Sequence, residues 1–87
     1  MPHAHDTRIL RQLRRAIGFN IYRQRVIHGV TLHKLAHLTG LPPQLLDRYE
    51  LGKNEITLNH LFYIAAGLRI DLADLLSAPG ACASVRA

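Results

Sequence analysis

Gln44 and Arg48 stand four residues apart in PPQLLDRYELG, so on a helix they share one face. Both types suit base reading: arginine donates twice to guanine, and glutamine donates to and accepts from adenine. Asp47 between them is suited to accept from cytosine or to orient Arg48, and Leu45 to touch a thymine methyl. The plain alternative for all four is an exposed helix face. Other chemistry is poorly furnished. His33 and His37 lie one turn apart and His3 and His5 flank an alanine, but a zinc site needs three or four ligands and a supporting shell. The segment HKLAH lacks the glutamate of a metalloprotease helix. There is no serine–histidine–aspartate set and no phosphate-cradling glycine loop, and Cys82 lies in a small-residue tail without a base. The expectation is a protein without metal, cofactor or catalytic machinery.

The stretch that must position these side chains is TLHKLAHLTGLPPQLLDRYELG, residues 31–52. It reads as two short helices and a tight turn, with the helix-turn-helix proper at 31–51. Leu35, Ala36, Leu41, Leu46 and Tyr49 face one interior, and Gly40 makes the corner in a left-handed conformation that lacks a Cβ penalty. Thr31 caps the first of these helices, although Lys34 replaces the glutamate of a full capping box. The next begins at Pro42-Pro43, where proline suits the first helical position but offers no capping oxygen. That start is expected to leave the N–H groups of Gln44 and Leu45 without a local partner. A projecting helix that offers Gln and Arg has the geometry that enters the DNA major groove.

Around this centre, residues 1–7 read as a loose arm, 8–76 as one domain and 77–87 as a frayed tail. Ile9, Leu13, Ile17 and Ile21 recur every four residues, predicting one amphipathic helix from Asp6 or Thr7 to about Ile27. Gly18 inside it costs about 1 kcal/mol relative to alanine, so it marks either a close approach or a break. Thr57 caps a fourth helix with Leu58, Leu61, Phe62, Ala65 and Leu68 as its core face, its end loosened by Gly67. Asp71 and Asp74 resemble a capping box for a short fifth helix ending at Leu76.

The net charge is +5, and its placement is uneven. Residues 1–28 carry six arginines against Asp6 alone, whereas residues 31–56 balance to zero. The excess therefore lies upstream of the reading helix, where Arg8, Arg11 and Arg15 are placed to follow a phosphate backbone or simply to be solvated. A lone cysteine permits no internal disulfide, MPHAHDTR has no apolar signal core, and the apolar run 61–68 is too short to span a bilayer. A cytoplasmic, soluble protein is expected.

The segments IGFNIYRQR, TLHKLAHLTGL, YELGK and LFYIAAGL, in register from Leu13 to Leu76, resemble the lambda-repressor-like, Cro-type (XRE) helix-turn-helix family. The resemblance implies an all-α fold: a compact five-helix domain with, here, an extended basic first helix. It implies sequence-specific double-stranded DNA binding by a small homodimeric regulator, most simply a repressor. It also implies phosphate contacts near Thr31, Lys53 and Asn54, and a structural ion pair between Arg25 and Glu50. The family usually places a phosphate-gripping glutamine after the threonine cap; Leu32 stands there instead. That departure, with Pro42 and the neutral head, keeps a second expectation open: a protein-interaction module that docks an acidic partner and reads few bases.

Overall fold

The computed structural model describes residues 7–77, which form five helices: α1 (Thr7–Ile27), α2 (Leu32–Thr39), α3 (Pro43–Glu50), α4 (Leu58–Leu68) and α5 (Leu72–Leu76). The predicted arm and tail, with His3, His5 and Cys82, lie outside the described residues apart from Thr7 and Ser77. Among the described residues there is no strand, and no helix is long and apolar enough to cross a membrane.

Local chemistry accounts for most of the boundaries. The Thr31 hydroxyl accepts from Lys34 N–H at 3.0 Å, and Thr57 accepts from His60 N–H at 3.2 Å. Each satisfies one amide that the first helical turn leaves over. Gly40 ends α2 at φ 77° and donates to the Ala36 carbonyl. At α5, Asp74 Oδ2 accepts from Asp71 N–H at 3.2 Å. Arg69 ends α4 in the left-handed region at φ 58°, a position where a non-glycine residue is uncommon.

The core joins all five helices through Ile21, Leu35, Ala36, Leu46, Tyr49, Leu61, Ile64, Ala65, Leu68 and Leu75. Full burial of each large aliphatic contributes about 1.5–3 kcal/mol, so this cluster outweighs any single cap. Among the described residues Asn20 is the one polar side chain buried with them. Its amide donates to the carbonyls of Leu75 at 2.9 Å and Ser77 at 2.5 Å, tying the end of α5 to the middle of α1.

Gly18 sits in an unbroken α1 where α3 approaches closely. A Cβ there would run into the Tyr49 carbonyl oxygen and lie 2.7 Å from that of Glu50. The α4 face differs from expectation. Leu58 and Phe62 are 69% and 59% exposed, and Ile64 takes the core position instead. Leu61, Ile64, Ala65 and Leu68 follow the 3-1-3 spacing of one helical stripe, which leaves Phe62 about 100° round the helix from Leu61. Gly67 does not loosen the helix end either: it lies within α4, and a Cβ would sit 3.3 Å from Thr39 Cγ2, so it permits close packing on α2. The predicted stripe of α1 is buried only at its downstream end. Ile21 is in the core and Ile17 packs against it, whereas Leu13 and Ile9 are half or more exposed because this part of α1 extends beyond the core.

Candidate nucleic-acid interface

Helix α3 is fastened from behind. Leu46 and Tyr49 are buried in the core, and the Tyr49 hydroxyl meets His60 Nδ1 at 2.6 Å. Burial raises the Tyr49 pKa, which keeps the phenol protonated and able to donate to that nitrogen. The end of the helix is held by Arg25. Its Nε and Nη2 donate to the two Glu50 carboxylate oxygens at 2.6 and 3.0 Å, and Nη1 donates to the Val30 carbonyl at 3.0 Å. The Arg25 guanidinium also stands 5.5 Å from the Tyr22 ring centre. Its pKa is raised, chiefly by the hydrogen bond to Glu50. Side-chain exposures of 14% for Arg25 and 7% for Glu50 make this a largely desolvated pair, joining α1 to α3.

With Leu46 and Tyr49 turned inward, Gln44, Asp47 and Arg48 are exposed on the opposite face and Leu45 is half-buried against the core. Gln44, Asp47, Arg48 and Pro43 line an open groove of about 440 Å³ together with Leu32 and His33 of α2. Sequence reasoning does not single out His33 as a reading residue; its place two residues past the Thr31 cap is the one signal that points there. Arg48 Nε donates to Asn54 Oδ1 at 3.0 Å, so the loop after α3 already holds this guanidinium.

The proline start of α3 behaves differently from expectation at one amide. Pro42 supplies no side-chain cap, but its carbonyl accepts from Leu45 N–H at 3.1 Å. Only the Gln44 N–H remains at this helix start without a protein partner among the described residues. Thr31 and Lys53 are exposed at opposite ends of the two-helix unit, and Asn54 is half-buried. The Thr31 hydroxyl uses its lone pair for capping and retains its own hydrogen as a donor.

The leader arginines do not all face alike. Arg8, Arg11 and Arg15 are exposed, whereas Arg14 is half-buried. Arg14 lines a small pocket with Leu10, Leu13, Ile17, Glu55 and Ile56, and its Nε has no hydrogen-bond partner among the described residues. Arg15 lies against the loop that follows α3: a Cβ on Gly52 would be 3.0 Å from Arg15 Cα. This contact brings the leader next to Lys53. Among the described residues no group of three or more histidine, cysteine, aspartate or glutamate side chains could hold a metal ion.

The helix-turn-helix family pattern matches residues 21–75, well over half of the chain. The chain belongs to this family, in its XRE-type, lambda-repressor-like form. The clp gene regulator ClgR from Corynebacterium glutamicum is 33% identical, with a TM-score of 0.72 over 74% of this chain and 83% of that one. A hypothetical transcription factor, NHTF from Neisseria, is 26% identical with a TM-score of 0.80, covering 86% of this chain and 87% of its own. The restriction-modification controller protein C.AhdI from Aeromonas hydrophila shares the fold at 24% identity and a TM-score of 0.70, covering 71% and 94% of the two chains. No curated protein matches the chain. Family membership makes this a DNA-binding regulator by class. Residues 7–20 of α1, which carry the basic leader, lie upstream of the matched pattern.

Proposed function

We propose that the protein is a small transcriptional regulator that reads double-stranded DNA as a homodimer, with one α3 in the major groove of each half-site. The observation that carries this reading is the division of α3: Leu46 and Tyr49 lock it into the core while Gln44, Asp47 and Arg48 stand exposed on the other side. Arg48 takes guanine, Gln44 adenine, Asp47 cytosine and Leu45 a thymine methyl. Thr31, Lys53 and the Gln44 N–H meet phosphates beside the groove. Arg8, Arg11 and Arg15 extend that phosphate track, starting from the contact of Arg15 with Gly52. Leu58 and Phe62, one turn apart and exposed on α4, supply apolar surface for the twofold contact. A rigid domain seated across a promoter blocks it by occupancy, which makes repression the simplest outcome.

Selection from randomised duplexes tests this. Wild-type protein is expected to enrich two related half-sites about 34 Å apart, a spacing of one helical turn. Enrichment of no motif would reject the reading.

One observation favours a second reading, a protein-interaction module. Exposed Phe19, Tyr22 and Leu51 border a groove of about 390 Å³ between α1 and α3, above the Arg25–Glu50 pair. With Leu32 in place of the phosphate-gripping glutamine, affinity would then reside in the leader and an acidic protein partner. Loss of all binding on removal of residues 1–15, with Gln44 and Arg48 dispensable, is the result that selects this alternative.

A further inference from the structure

An arginine presents two edges able to donate twice to guanine: the side edge, Nε with Nη2, and the end edge, Nη1 with Nη2. In this chain the side edge of Arg48 is already in use. Nε donates to the side-chain oxygen of Asn54 at 3.0 Å, and no other partner holds the guanidinium among the described residues. The donor fixes the orientation of the amide, because Nε–H must face oxygen and not nitrogen. Asn54 is half-buried in the loop after α3, and the backbone on either side of it is anchored. Lys53 N–H donates to the Arg48 carbonyl at 2.9 Å, and Ile56 packs against the core. The tether therefore runs from a fixed loop to a long, otherwise free side chain.

We propose that Asn54 is a positioning residue for base reading by Arg48, holding the guanidinium through Nε so that only its end edge meets guanine. This rests on the reading of Arg48 as a base contact. It reassigns the main role of Asn54, which the family resemblance places among the phosphate contacts. Holding a rotamer-rich side chain before binding removes an ordering cost of about 0.5–1.5 kcal/mol from the bound state, or roughly twofold to tenfold in affinity. That gain applies only to sequences that Arg48 can read, so it appears as discrimination and not as general affinity.

The test is a double-mutant cycle on the duplex enriched by wild-type protein and on the same duplex with the Arg48-dependent base pair exchanged. The expected result is that Asn54→Ala lowers the ratio of the two affinities twofold to tenfold, with unchanged binding to the exchanged duplex. In an Arg48→Ala background Asn54→Ala should lower it no further. Asn54→Asp keeps the acceptor for Nε, so it should preserve the ratio while weakening both duplexes through its added negative charge. Equal weakening of both duplexes by Asn54→Ala would instead mark a phosphate contact and overturn the proposal, as would an additive double mutant. Thermal unfolding of each variant guards against a folding defect, and Asn54→Asp supplies the comparison if Asn54→Ala is destabilised. If wild-type protein enriches no duplex, the DNA reading itself has failed, which is a different outcome from an enriched duplex whose discrimination ignores Asn54.

Discussion

Gly18→Ala sets two physical effects of opposite sign against each other. On propensity alone, alanine in the interior of a helix as long as α1 gains about 1 kcal/mol over glycine. The crossing with α3 opposes that gain. The added methyl would run into the Tyr49 carbonyl oxygen and lie 2.7 and 2.9 Å from the Glu50 carbonyl oxygen and carbon. These are backbone atoms, and Glu50 is held in turn by Arg25, so the site has no flexible side chain to move aside. Overpacking of this kind costs about 1–3 kcal/mol, and a rigid backbone neighbour places it at the upper end. The net is a loss of about 2 kcal/mol, which for a domain of this size lowers Tm by roughly 8–16 °C. Circular dichroism melts at matched protein concentration read this directly. An unchanged or raised Tm would refute the close approach of α1 and α3. Gly67→Ala is the internal control. Its nearest neighbours are side-chain atoms at 3.3–3.6 Å, so propensity and mild crowding should nearly cancel and leave Tm within a few degrees of wild type.

The other expectations follow the same geometry. Glu50→Gln leaves the Arg25 guanidinium largely desolvated and without its anion. Breaking a buried pair costs about 3–5 kcal/mol; with both partners partly exposed, about 2–3 kcal/mol is expected in urea unfolding, at unchanged m-value. A loss within about 0.5 kcal/mol would place this pair with ordinary surface ion pairs. Because Tyr49 titrates above the usual tyrosine value when folded, stability should hold up to about pH 10 and fall as pH rises from there through the folded pKa. Tyr49→Phe should flatten that alkaline decline while costing about 1 kcal/mol at neutral pH for the lost bond to His60; an unaltered alkaline slope would assign the decline elsewhere. Lys53→Ala should weaken enriched and shuffled duplexes alike and reduce the salt slope by about one, whereas a change in site preference would make Lys53 a reader of bases.

Features written in a few neighbouring residues are legible in the sequence alone. The caps at Thr31 and Thr57, the turn at Gly40 and the acidic pair at Asp71 and Asp74 each depend on contacts within four residues. A long α1 follows from its apolar period, whereas Gly18 allows two physical meanings that only the position of α3 can separate. What sequence does not show is rotational and long-range. Phe62 and Ile64 are both apolar on α4; helical spacing allows only one of them on the buried stripe, and the packing of α2 and α5 against the helix selects Ile64. Asn20 finds its partners 55 and 57 residues away, so nothing near it announces a buried amide. At the site, the exposed positions of Gln44, Asp47 and Arg48 follow from helical spacing. The Arg48–Asn54 bond and the neighbouring His33 depend instead on how a loop and a second helix return to α3.

The most direct test of the central claim is a salt titration of binding to an enriched duplex and its shuffled counterpart, with wild-type protein and the Gln44→Ala, Arg48→Ala double variant. Wild-type preference should persist at physiological salt, and the double variant should lose it while retaining the same salt slope, since the arginine leader and Lys53 are untouched. Equal wild-type binding to both duplexes, vanishing steeply as salt rises, would contradict it: α3 would not be reading bases, and the leader alone would be holding phosphate.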